Sequence, residues 1–348
     1  HIGEANRVKA AVIREFGDAD KLRYEEVATP TPAADEVLVK VHAAALNHLD
    51  IWVRMGAIPD IPLPHVTGSD VAGVVADVGK LVANVKPGDE VVVNPSMSCG
   101  RCYHCLTGND NLCAEYSILG AKDWGGYAEY VKVPAVNVLP KPRNLDFTQA
   151  SAVPLVFLTA WHMLIGRAQL KAGETVLVIA AGSGVGSAAI QIAKLLQARV
   201  IATAGGEEKL KRARELGADE VINHSTQNIA EEVKRLTNGA GVNVVVDNVG
   251  EAVWTQCLSS LARAGRMVFC GATTGKKGEV DLRTAYWDHL SILGSTMGTK
   301  GELLTILKFV ENGKLKPVVH SVFPLKQAAD AHELMENRGQ FGKTVLTP

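Results

Sequence analysis

Four cysteines, Cys99, Cys102, Cys105 and Cys113, stand in the run Cys-Gly-Arg-Cys-Tyr-His-Cys, with the last Cys after seven intervening residues. The spacing suits a tetrahedral metal. Short C-x2-C turns aim two thiolates at one ion, and four sulfurs close its sphere, as in a structural zinc with no open position. Four unpaired thiols in one loop would otherwise be an oxidation liability. A second signature is Ala181-Gly-Ser-Gly-Val-Gly, set between an apolar strand and a helical run. Gly182, Ser183, Gly184, Val185 and Gly186 let the backbone approach a pyrophosphate, and the helix N-terminus behind them offers free N–H groups. The following strand ends in Thr203-Ala-Gly-Gly-Glu-Glu-Lys, where a dinucleotide fold reads the ribose. No carboxylate stands at that tip, and Lys209 lies in the first turn of the next helix, which predicts NADPH with Lys209 near the 2′-phosphate. Glu207 and Glu208 leave NADH possible if either folds back toward the ribose; both also suit a helix N-terminus.

These residues need elements to hold them. From Val8 to about Pro154, short β-branched runs broken by Pro-Gly and Gly-Asp predict a β-rich domain. From about Thr175 to Ser295, apolar strands alternate with helical segments at 185–196 and 207–216, the pattern of a parallel sheet with crossover helices. Further helices are expected at 302–312 and 327–336, and then a terminal strand, Phe341-Gly-Lys-Thr-Val-Leu, which has no place in that sheet and folds back onto the first domain. The fold class is α/β. With 348 residues about two domains are expected. The 36 basic and 37 acidic residues leave no excess charge for nucleic acid or membrane, so the expected partner is a small-molecule substrate. Six cysteines, four of them committed to metal, suit a reducing compartment, and a cytoplasmic enzyme is the expectation. The first seven or so residues read as an appended remnant or a disordered extension.

The four-Cys loop, the glycine turn, Gly125-Gly-Tyr-Ala-Glu-Tyr-Val and Gly68-Ser-Asp-Val-Ala-Gly-Val-Val together resemble the medium-chain dehydrogenase/reductase superfamily over residues 8–348. The resemblance implies a GroES-like catalytic domain at 8–155 and 300–348, with the zinc loop at 99–113. It also implies a Rossmann doubly wound parallel sheet at 156–299, an active site in the cleft between the domains, and homodimers or homotetramers formed through the Rossmann sheets. His48 and Lys343 match positions at the cofactor pyrophosphate, and His224 one beside the adenosine phosphate. Thr159, Asn248 and Gly271 are assigned to the same nucleotide. For His48, His224 and Lys343 a role away from any ligand remains open.

The family's zinc alcohol dehydrogenases hold a second, catalytic zinc. Carried onto this chain, its three ligand positions hold Asn47, Ser69 and Leu155, and the proton relay positions hold Leu49 and Trp52. A zinc ion lowers the pKa of bound water by roughly 9 units, about 12 kcal/mol of oxyanion stabilisation, whereas one hydrogen-bond donor supplies roughly 3 to 4 kcal/mol. Hydride addition to a conjugated enone or quinone demands less, because the charge spreads onto an oxygen already in a π-system. The pattern Asn47, Asp50, Trp52, Arg54 and Gly56 is similar to zinc-independent quinone oxidoreductases and enone reductases. Most of those lack the four-Cys loop kept here. Asn47 is the candidate donor to the substrate. Asp50 either poises the site electrostatically or serves as a structural acceptor, and Trp52 either walls the substrate cleft or packs in the core. The alternatives are an alcohol or carbonyl oxidoreductase with an unusual metal site drawing on His48, His65 and Asp70, and a non-catalytic nucleotide-binding protein.

Overall fold

The β-branched runs of the N-terminal part pair into a mixed seven-stranded sheet. Residues 7–348 are described by this computed structural model. The expectation for the opening residues lies outside them except at Arg7, which begins strand Arg7–Ile13. Contacts divide the chain into two units, one running to Leu155 and resuming at Thr299–Pro348, the other Val156–Gly298.

In the first unit the strand order is Val319–Pro324, Lys343–Thr347, Glu36–Ala45, Asp70–Val78, Glu90–Val93 and Val138–Pro140, with Tyr130–Pro134 also pairing Glu36–Ala45. Strand Glu36–Ala45 buries Val37, Val39 and Val41 and exposes Lys40 and His42, the period-two alternation of a half-buried strand. Those valines join Ile51, Val71, Val91 and Tyr127 in one core. Each such buried side chain contributes about 1.5 to 3 kcal/mol. The C-terminal strand takes the edge of Glu36–Ala45: Val345 faces Ala45, which faces Asp70 across the next pair. The Leu46 N–H donates to the Thr344 carbonyl at 2.9 Å. This register brings Lys343, Asn47 and Asp70, far apart in sequence, to one end of three adjacent strands. Helix His48–Arg54 starts there, its Asp50 carboxylate accepting the Asn47 N–H at 2.8 Å.

In the second unit all six strands run parallel, in the order Glu220–Asn223, Arg199–Ala204, Thr175–Val178, Val242–Asp247, Leu261–Phe269 and Ser291–Gly294. Thr175–Val178 has its successor on one side and Val242–Asp247 on the other, the switch point at which open α/β sheets bind ligands. Helix Gly184–Leu195 begins one residue before the sequence expectation because Ser183 caps it, accepting the Gly186 N–H at 2.9 Å. The helix expected from Glu302 begins at Lys300, since Thr299 and Glu302 form a reciprocal capping box. Among the described residues no helix is long and apolar enough to cross a membrane.

Candidate active site and metal centre

The four cysteines lie on one loop of the first unit. Gly100 and Gly108 take φ values of 73° and 79°, which glycine adopts without strain, and Cys102 precedes the short helix Tyr103–Leu106. The four Sγ atoms lie within 4.8 Å of one another; Cys99 to Cys105 is 3.9 Å and Cys102 to Cys105 is 3.6 Å. A tetrahedron with Zn–S bonds of about 2.3 Å has edges of about 3.8 Å, so the cluster fits zinc closely. Backbone N–H groups of Arg101 and Cys102 favour the Cys99 thiolate and hold that thiol below its ordinary range. Lys300 ties the loop down: its ammonium donates to Ser98 Oγ at 2.8 Å and to Asp110 at 3.2 Å, and its backbone N–H to Asp110 at 3.0 Å. Among the described residues no other group of three His, Cys, Asp or Glu ligand atoms is so gathered; His48, His65 and Asp70 form no such set.

In the second unit the glycine turn opens on Ala180, whose φ of 55° is unusual for a residue with a Cβ. Thr203 holds that turn. Its fully buried hydroxyl accepts the Ala180 N–H at 3.2 Å and meets His224 Nδ1 at 3.2 Å, which links both residues to the loop. A Cβ on Gly186 would come 2.2 Å from the Ala180 carbonyl, which explains glycine there, and one on Gly271 would come 2.9 Å from the Asn248 carbonyl. Asn248 donates to Ser183 Oγ at 2.6 Å, while its Oδ1 is buried with no partner among the described residues. An orphan acceptor beside a helix N-terminus at a switch point fits a bound nucleotide. Lys209 is half-buried in helix Glu207–Glu215, behind the exposed Glu207 and Glu208. Thr159 is buried, its hydroxyl donating to the Met297 sulfur at 3.6 Å.

The remaining site residues centre on Asp70 in the first unit. Its carboxylate receives the Leu155 N–H at 2.9 Å, Asn47 Nδ2 at 3.0 Å and the Lys343 ammonium at 3.0 Å. Lys343 also donates to Asn47 Oδ1 at 2.5 Å. The strand that Lys343 begins pairs with Glu36–Ala45, which brings its ammonium to Asp70 and Asn47. Asn47, the expected substrate donor, has both ends of its amide engaged: Nδ2 also points to the Ala45 carbonyl at 3.4 Å. It orients the ammonium. The Ser69 hydroxyl is wholly buried and has no partner among the described residues.

Asp50 is wholly buried and accepts hydrogen bonds from several sides. Besides the Asn47 N–H it takes Thr67 Oγ1 at 2.8 Å, the Gly68 N–H at 3.1 Å and the Tyr127 hydroxyl at 3.1 Å. Burial outweighs these donors and pushes its carboxyl up to about 6. Tyr127 in turn meets His332 Nε2 at 3.2 Å, and His332 Nδ1 lies 3.2 Å from Arg54. A guanidinium only donates, so Nδ1 accepts, Nε2 carries the hydrogen, and the chain runs in one sense from Arg54 through His332 and Tyr127 to Asp50. Arg54 is anchored by Glu336 and by the Gly17 carbonyl. Burial, with the Arg54 charge, pulls His332 down to about 3. Sequence reasoning missed His332; its signal is a place on the buried stripe Ala328, Ala331, His332 and Met335 of helix Ala328–Glu336. His48 and Trp52 are half-buried neighbours with ring centroids 6.2 Å apart, and burial holds the His48 imidazole below its ordinary range.

Two family patterns match the chain: the alcohol dehydrogenase GroES-like domain over residues 33–143 and the zinc-binding dehydrogenase over residues 184–312. The NAD-dependent alcohol dehydrogenase of Sulfolobus acidocaldarius is 35% identical over 97% of this chain and 99% of its own length. The human quinone oxidoreductase is 33% identical over 97% of each chain. A solved NAD-dependent alcohol dehydrogenase superposes with a TM-score of 0.95 at 51% identity, covering 98% of this chain and 99% of that one.

Proposed function

The chain belongs to the medium-chain dehydrogenase/reductase superfamily, and within it we propose that it acts as an NADPH-dependent reductase of activated double bonds or quinones. One observation carries this reading. Around Asp70, the positions that correspond to catalytic zinc ligands present an amide, a hydroxyl and an alkyl side chain, a donor set that does not hold zinc. Without such a Lewis acid, simple alcohols and ketones lose their main source of activation, while conjugated acceptors keep theirs. When bound, the reduced nicotinamide supplies a hydride. Gly182, Ser183, Gly184, Val185 and Gly186 hold its pyrophosphate, Asn248 offers its orphan oxygen, and Lys209 meets the 2′-phosphate. The four cysteines hold a structural zinc. Trp52 walls the substrate site.

NADH with alcohol or carbonyl chemistry is the second reading, favoured by the exposed Glu207 and Glu208 after the second strand and by relatives named NAD-dependent alcohol dehydrogenases. Strand Ser291–Gly294 ends its sheet with Leu282, Tyr286 and Trp287 exposed nearby in sequence, which supports a homodimer or homotetramer. Six free thiols among the described residues support a cytoplasmic location. The test is a panel of enones, quinones, aldehydes and alcohols assayed with each nicotinamide nucleotide. Enone or quinone reduction preferring NADPH supports the proposal; NAD-linked alcohol oxidation as the dominant activity overturns it.

A further inference from the structure

We propose that the four-cysteine loop is a peroxide-responsive modification site, at which Cys102 and Cys105 join in a disulfide and the zinc is released. This presupposes the structural zinc assigned above and involves residues of the first unit alone. Cys99, Cys102 and Cys105 are half-buried, whereas Cys113 is buried. Cys102 lies between the exposed Arg101 and Tyr103, so a small oxidant can reach it. Its sulfur is 3.6 Å from that of Cys105, against 3.9 Å between Cys99 and Cys105. A disulfide of about 2.05 Å therefore asks the two sulfurs to approach by only about 1.5 Å. The backbone around them has room for that movement. Both cysteines lie between Gly100 and Gly108, where a Cβ would meet nothing within 4 Å. The Leu106 N–H donates to the Cys102 carbonyl at 3.0 Å and keeps the turn that holds the two sulfurs together. Cys113 is tied inward instead, its sulfur accepting the Cys99 N–H at 3.5 Å. The cluster thus divides into a movable outer pair and a buried sulfur behind it. The two cysteines of the other unit offer no competing thiolate: Cys257 is wholly buried and its thiol is pushed well up, and burial pushes the Cys270 thiol up to about 12.

In the step, the oxidant is hydrogen peroxide and the reductants are two thiolates that the metal keeps deprotonated. The Cys102 sulfur attacks one peroxide oxygen; an S–O bond forms, the O–O bond breaks, and hydroxide leaves a sulfenic acid behind. The Cys105 thiolate then attacks that sulfur, forming the S–S bond and expelling a second hydroxide. Two thiolates lose two electrons, one peroxide gains them, and the buffer neutralises both hydroxides. Zinc is left with two of its four sulfurs and departs. Asp110, which lies between Cys105 and Cys113 and receives both the backbone N–H and the ammonium of Lys300, loses its support, so the loop and the start of helix Lys300–Glu311 loosen together.

The experiment treats the zinc-loaded protein with hydrogen peroxide beside a colorimetric zinc dye, then maps its disulfides by mass spectrometry without reduction and records thermal melts. Release of one zinc per chain is expected, with a disulfide between Cys102 and Cys105, a lowered melting temperature, and Cys257 and Cys270 still free. Dithiothreitol followed by zinc should restore the original melt, and the dye without peroxide should take no zinc. Zinc retained under peroxide that has already oxidised Cys257 or Cys270 overturns the proposal and leaves the structural zinc standing. Release accompanied only by sulfinic or sulfonic acids, which dithiothreitol does not reverse, overturns it as well, since the loop is then damaged rather than switched. A chain that takes up no zinc at the loop defeats the zinc assignment and the switch with it.

Discussion

Asp50 and His332 are linked by one tyrosine, yet burial moves them in opposite senses with respect to folding. A depressed imidazole contributes stability that is present above its unfolded pKa and is lost as pH falls through its folded value, so His332 destabilises the protein as pH drops from about 6.5 toward about 3. The whole shift corresponds to roughly 5 kcal/mol. Asp50, raised to about 6, contributes stability that is complete below the ordinary carboxylate range and is lost as pH rises through 6. Acidification therefore recovers part through Asp50 of what it removes through His332, and the histidine's larger shift decides the outcome. His332→Gln keeps a donor for Tyr127 and an acceptor for Arg54 but cannot titrate. Its melting temperature should fall less between pH 7 and pH 4 than that of wild type; parallel curves would show that His332 does not govern the acid limb. None of this network could be read locally. Asp50 stood out by its motif, but its partner Tyr127 is 77 residues away and His332 lies 205 beyond that tyrosine.

The metal loop depends on an element outside it, the N-terminus of helix Lys300–Glu311, whose first residue reaches Ser96, Ser98 and Asp110. Zinc in such a site contributes on the order of 10 kcal/mol to local folding. Cys102→Ser should thus loosen the loop and this anchor, lowering thermal stability while leaving nucleotide binding intact, since the glycine turn belongs to the other unit. Elemental analysis should find one zinc per wild-type chain; two would show that a further site exists. The cysteines were legible because their ligand spacing is local, and the glycine turn because strand, glycines and helix are contiguous. The Lys343, Asp70 and Asn47 cluster was not. It is produced by strand pairing between the chain's C-terminal end and residues near position 45, a register that single-strand patterning does not specify. The same pairing explains why the terminal strand was placed outside the parallel sheet without its neighbour being named.

Across the whole molecule, alternation in one half and βα rhythm in the other were enough to give the fold class, because both patterns recur over many residues. Cofactor choice is finer than either pattern, resting on Lys209 against Glu207 and Glu208. Lys209→Ala should weaken NADPH by about 1 to 3 kcal/mol more than NADH, the worth of one charge-assisted contact; equal losses in direct titrations would remove Lys209 from the phosphate. The central claim is that conjugated acceptors are reduced without a catalytic metal. Its most direct test is the ratio of kcat/KM for enone reduction to that for secondary-alcohol oxidation, measured before and after a chelator mild enough to leave the four-cysteine zinc in place. A ratio well above one, unchanged by the chelator, is expected. Dominant alcohol oxidation that the chelator abolishes would contradict it.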